Sequence, residues 1–166
     1  MRFGLMSLAG TPEDVIADAR LAADAGFDVI ATADHLRHPR DPQVPGLDGW
    51  SILAAWAVTT ERLRLASAFG GLALDNKAAC FAALGEQARV IDSECEAIDR
   101  EPSTLRRSLL AFRPLAPWTS AGALDEIVEF ARELRFDEVV VYKPTTDEEL
   151  GVFEDAVARL PSLRAG

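Results

Sequence analysis

An α/β fold on a parallel sheet is predicted by three observations: short apolar, β-branched runs, strict alternation of those runs with segments of helical periodicity, and 49% hydrophobic content, enough for a real core. Five strand–helix units fit into 166 residues, the length of a single domain, 1–166. Right-handed crossovers then leave two architectures. One is an open doubly wound sheet; the other is part of a strand–helix barrel, whose complete form takes eight units and about 250 residues. Periodicity alone does not choose between them.

Arg2 to Ser7 reads as the first strand. Thr11-Pro12-Glu13-Asp14 opens a helix with a capping hydroxyl, proline at the first helical position and acids on the positive end of the dipole, and Gly26 stops it. Val15, Ala19, Ala22 and Ala23 recur at helical spacing as its sheet-facing stripe. The second strand spans Phe27 to Ala33. A Pro- and Gly-rich loop, Leu36 to Asp48, follows, long enough for the length prior to favour a functional role. Asp48 caps the next helix, which carries Trp50, Leu53, Trp56 and Ala57. Arg62 to Phe69 is the third strand, ending at Gly70-Gly71, and Asp75 to Asp99 is a long helix with Phe81, Leu84, Ala88, Ile91 and Cys95 along one side. Pro102 breaks it. Ser108 to Phe112 with Ala121 to Leu134, then Asp137 to Tyr142 with Thr146 to Leu160, complete the five units.

A net charge of −10 opposes binding to nucleic acid or to an anionic membrane surface, both of which need a basic footprint. A small molecule or a protein is the expected partner. No apolar run approaches the roughly 20 residues of a membrane span and the N-terminus lacks a signal-peptide pattern, so a cytoplasmic location is expected. Cys80 and Cys95 fall in one helix, roughly 22 Å apart at about 1.5 Å per residue, and read as reduced thiols. No nucleotide fingerprint follows the first strand, where Ser7-Leu8-Ala9-Gly10-Thr11 stands, and G-x-S-x-G is absent.

The chemistry concentrates in Thr32-Ala33-Asp34-His35, at the C-terminal end of a buried parallel strand, where α/β proteins bind ligands. An imidazole ordinarily titrates near neutrality, so His35 suits proton transfer, whereas the alternative role of this pair is structural, with Asp34 capping the loop backbone. A metal set of Asp34, His35 and His38 would need a helical face, which Pro39 opposes. Arg37, His38 and Arg40 form a small basic patch, either phosphate-binding or solvated beside Asp41. Small residues at Ser67-Ala68 would let a planar ring approach the backbone. Trp50, Trp56 and Trp118 suit either an apolar pocket or core packing, and Lys143 follows the last strand towards the same rim.

Four local features together resemble the opening of the luciferase-like flavin- or deazaflavin-dependent oxidoreductases. They are the strand-loop Arg2 to Gly10, the helix ending Ala22-Ala23-Asp24-Ala25-Gly26-Phe27-Asp28, the Ala33-Asp34-His35 turn, and Leu47-Asp48-Gly49-Trp50-Ser51 leading through Thr59-Thr60-Glu61-Arg62-Leu63-Arg64-Leu65-Ala66. Ala88-Arg89-Val90-Ile91-Asp92, Cys95-Glu96-Ala97-Ile98, Pro102, Arg107-Ser108 and Asp137-Glu138-Val139-Val140-Val141 resemble the family's late elements. The resemblance implies an eight-stranded barrel from which three central units are missing. A truncated barrel of five parallel strands in the order four-five-one-two-three is therefore expected, with the doubly wound sheet as the alternative. It also implies an oxidoreductase or monooxygenase using the deazaflavin coenzyme F-420 or FMN on a small molecule. His35 and Asp34 would be the catalytic pair, and Asp34, His35, Ser67, Ala68 and Arg37 would contact the cofactor. The alternative function is a non-catalytic remnant that binds a ligand or protein. Both ends of such an arc, the strands around Leu65 and Leu110, are unpaired, so a homo-oligomer, with a dimer favoured, is expected to cover them, the alternative being that the arc pulls together into a tighter barrel.

Overall fold

The computed structural model describes residues 1–7, 9–33, 37–38, 41–45, 47–68, 76–111, 115 and 117–165, with the backbone alone for 37–38, 41–45 and 68. Strand β1 (Arg2–Ser7) leads to α1 (Pro12–Asp24) and β2 (Val29–Ala33). A short antiparallel pair, β3 (Arg37–His38) and β4 (Asp41–Pro45), stands where the sequence predicts only a loop. Then come α2 (Gly49–Thr59), β5 (Arg64–Ala68), α3 (Lys77–Ala97), a 3-10 turn at Pro102–Thr104 and β6 (Ser108–Ala111). The chain closes with α4 (Ala123–Glu133), β7 (Glu138–Tyr142) and α5 (Asp147–Ala165).

Five strands form one parallel sheet in the order β5-β2-β1-β7-β6. This is the predicted neighbour order, with β5 and β6 at its two ends, and the fold is an α/β partial strand–helix barrel. Its curl is visible in side chains. Arg64, Val29, Gly4 and Val140 stand at one level across β5, β2, β1 and β7, and Arg2 and Glu138 stand two residues below on the same side. In a flat sheet β5 and β7 would lie about 14 Å apart, three spacings of about 4.8 Å. Nevertheless the Arg64 guanidinium reaches the Glu138 carboxylate, which also accepts from Ser108 Oγ at 2.8 Å. The sheet is therefore concave on this side, and Gly4 sits where it is tightest: a Cβ there would lie 2.9 Å from Val140 Cγ2 and 3.2 Å from Val29 Cβ.

On the convex side, Phe3, Leu5, Ile30, Leu109, Val139 and Val141 join Val15, Ala19 and Ala22 of α1, Leu124, Ile127 and Val128 of α4, and Phe153 and Leu160 of α5 in one core. Ala23 is exposed, contrary to the predicted stripe, and Asp18 is buried in the row instead. Trp56 and Trp118 are core residues whose indole N–H groups donate to Val15 O at 2.8 Å and Tyr142 O at 2.7 Å, while Trp50 is exposed. Along α3, Ala88 and Cys95 are buried but Ile91 faces solvent. The last helix runs on past Leu160 through Pro161 to Ala165, further than its sequence signal. Tertiary contacts hold that final turn: Arg132 reaches Leu163 O, and Arg164 Nη2 donates to Asp28 Oδ2 at 3.0 Å with its guanidinium over the Phe3 ring.

Three helices end in left-handed residues, Gly26 (φ 76°), Asp99 (φ 56°) and Arg135 (φ 58°). In each, the next amide reaches back five residues, Phe27 to Ala22, Arg100 to Cys95 and Phe136 to Ala131, which satisfies carbonyls the helix leaves open.

Candidate functional site

The carboxyl ends of the five strands form the mouth of the arc, the edge at which strand–helix barrels carry their chemistry. Thr11, the predicted cap, accepts from Asp14 N at 3.2 Å at the entrance to α1, and Asp48 accepts from Ser51 N at 2.7 Å at the entrance to α2. The Ser51 hydroxyl is the main reason the Asp48 carboxyl titrates below its ordinary range. These caps fix where each helix leaves the mouth.

Asp34 and His35, the predicted catalytic pair, lie outside the described residues, directly after Ala33 at the end of β2. Arg37 opens β3 opposite Pro45, and its side chain lies outside the described residues, as does that of His38. Ser67 and Ala68 are consecutive at the end of β5, where only the backbone of Ala68 is described. Ser67 is exposed and level with Thr32 and Ser7, on the convex side. The Ala68 backbone pairs with Ala33, whose own side chain lies on the concave side. One level below, Met6, Ala31 and Ala66 share that side. Ala33 and Ala66, both half-buried, thus give the concave mouth a low wall across β2 and β5, with methyl groups only, against which the face of a planar ring can lie close to the backbone, while Ala31 beside them is 1% exposed and already covered.

A second arrangement, which the sequence reading missed, ties the mouth together on the convex side. Asp18 of α1 is 1% exposed. Its Oδ2 accepts from Ser7 Oγ at 2.6 Å and its Oδ1 from Lys143 Nζ at 2.6 Å, while Lys143 N donates to Met6 O at 3.0 Å. Ala9 N in turn donates to Ser7 Oγ at 3.2 Å. A buried carboxylate is stable only when paired and hydrogen-bonded, and here both oxygens are used. The network therefore pins the ends of β1 and β7 to α1, and Lys143 spends its charge on Asp18. The signal was present: an acid one turn from Val15 and Ala22 in an otherwise apolar stripe. Beside it, Tyr142 Oη donates to Glu149 Oε1 at 2.7 Å, and Thr145 N donates to Glu149 Oε2 at 2.7 Å, which folds the 142–146 segment onto α5.

Burial pushes the Cys80 thiol up, so it stays protonated, and Cys95 is also buried and free. Among the described residues there is no group of three or more His, Cys, Asp or Glu side chains placed to hold a metal ion, and no helix is long and apolar enough to cross a membrane.

No curated protein and no solved structure matches the chain. Residues 1–74, the span from β1 through β5 that builds the alanine wall, match the luciferase-like monooxygenase family, and the resemblance read from the sequence is borne out there.

Proposed function

We propose that the chain is a flavin-type oxidoreductase acting on a small molecule, with the cofactor ring against the alanine wall. The observation that carries this reading is that the family match and the wall of Ala33 and Ala66 coincide at the mouth, next in sequence to Asp34 and His35. A bare wall suits a planar ring, since a larger side chain at either of these positions would hold it off. The ring, when bound, supplies hydride transfer. His35 donates a proton or holds the developing anion, Asp34 fixes the imidazole, and Arg37 meets the cofactor phosphate. Deazaflavin is favoured over FMN because the Asp-His turn is closer to that branch of the family.

Titration of the purified chain with each cofactor tests this. A ligand at about 100 times its Kd adds about 2.7 kcal/mol, which should raise Tm by about 5–10 °C for a chain of this size. Ala66→Leu should abolish the rise, and His35→Ala should abolish turnover. If neither cofactor moves Tm at saturation, the reading is wrong. One observation favours the second reading, a non-catalytic binding remnant of the family: Val29, Ala31, Met6 and Val140 are already buried within a single chain.

A further inference from the structure

Glu138 stands at the lower end of the concave face, and two arginines converge on one of its oxygens. The carboxylate is buried, and its Oε1 accepts from Ser108 Oγ of β6 at 2.8 Å. Oε2 accepts from the Arg64 guanidinium of β5, while Arg2 Nε of β1 stands 3.4 Å from the same atom without a hydrogen bond to it. Arg2 Nε is itself buried and donates to nothing among the described residues. A buried carboxylate needs a paired cation, yet either arginine alone would supply the charge. The two differ in what they tie together. Arg2 lies level with Glu138 on the neighbouring strand, so its pairing adds nothing to the curl, whereas Arg64 reaches in from the end strand across β2 and β1. Arg64 also has the easier alternative, since its side chain is 48% exposed and hydrates if released, against 33% for Arg2.

We propose that Arg2 and Arg64 are exchangeable partners of Glu138 and that the exchange works as a clasp on the arc, closed when Arg64 holds the carboxylate and open when Arg2 takes its place. In the closed form Arg64 draws β5 inward and a buried donor on Arg2 goes unsatisfied. In the open form that donor is satisfied and Arg64 turns to water. Each form makes the contact that the other lacks, which keeps the two close in free energy. Among the described residues Arg64 is the one β5 side chain with a hydrogen bond or ion pair, so its release loosens the strand's hold on the sheet. Ala66 follows two residues further along β5 on the same side, so the clasp sets the width of the groove at the alanine wall. The proposal concerns the sheet alone and does not rest on the cofactor reading.

Amide hydrogen exchange of the full chain tests it, with the central strands β1 and β7 as the internal measure of global stability. Arg64→Met holds the clasp open and should speed exchange of the β5 amides about fivefold relative to β1 and β7. Arg2→Met removes the competitor and should slow them about threefold, although the variant has lost a cation beside a buried carboxylate. A purely structural cluster would give faster exchange in both. Unchanged β5 exchange in Arg64→Met, or unchanged or faster exchange in Arg2→Met, overturns the proposal. The arginine Nε–H signals in NMR give a second test that leaves Arg2 in place. In Arg64→Met the Arg2 Nε–H gains its hydrogen bond to Glu138, so its proton signal should move downfield and exchange with water more slowly. A signal that keeps its wild-type position and rate shows that Arg2 does not take over, and the clasp is refuted.

Discussion

Replacing Gly4 with alanine tests the curl of the sheet directly. The glycine has no positive φ, so its backbone accepts alanine, and the substitution should by itself gain about 0.5–1 kcal/mol of unfolded-state entropy. Against this stands the new methyl group, 2.9 Å from Val140 Cγ2 and 3.2 Å from Val29 Cβ, where contacts under 3.0 Å force something to shift. Both neighbours are buried and β-branched, with few rotamers to move into. Overpacking of this kind costs about 1–3 kcal/mol, so the net loss should be about 0–2.5 kcal/mol, or a fall in Tm of up to about 10 °C. Val140→Ala removes the nearer methyl. In urea melts of the two single variants and the double variant, Gly4→Ala should be neutral or stabilising on the Val140→Ala background, with a coupling of at least about 1 kcal/mol. A Gly4→Ala variant that is more stable than wild type by the full entropic gain, or a double variant showing strict additivity, would refute the claim that these residues crowd one concave face.

Asp18→Ala should destabilise by about 2–3 kcal/mol, because the Ser7 hydroxyl loses its acceptor in a buried site while the half-exposed Lys143 turns to water; chemical denaturation measures it, and a loss below about 0.5 kcal/mol would make the network ornamental. Asp92 is held below the ordinary carboxylate range, first by its hydrogen bond from Arg107 and then by the charges of Arg107 and Arg135. Its folded pKa is the lower one, so its stabilisation is complete above the unfolded value of about 3.9 and is lost as pH falls through the folded value. Asp92→Asn should accordingly lower Tm at neutral pH and converge with wild type in acid, and an unchanged gap across that range would count against the linkage.

Much of the fold was legible because it follows from local chemistry. Thr11 and Pro12 start a helix wherever they occur in this pattern, Gly26 ends one because it alone is free of strain at positive φ, and the apolar runs can only be buried strands. Asp99 and Arg135 end their helices in the same conformation without a glycine, and no residue type announces that; the amides of Arg100 and Phe136 reach back to open carbonyls and fix it. The extension of α5 through Pro161 is likewise decided by Arg132 and Arg164, distant in sequence from the strands and helices they tie together.

For the site, the sequence by itself determined the order of the five units, their likeness to the luciferase-like family over the first part of the chain, and the position of Asp34 and His35 at a strand end. The tertiary structure decided which neighbours those units acquire. Register assigned Ala33 and Ala66 to one concave wall and Ser67 to the opposite side, because a pleated strand alternates and a single residue of offset exchanges its faces. It also turned Asp18, an unremarked acid in a helix, into the anchor shared by β1 and β7, since a carboxylate under a helix is tolerated only where a hydroxyl and an ammonium from other parts of the chain converge on it. Patterns along the chain record what each segment prefers, and only packing brings residues 18 and 143 within 2.6 Å.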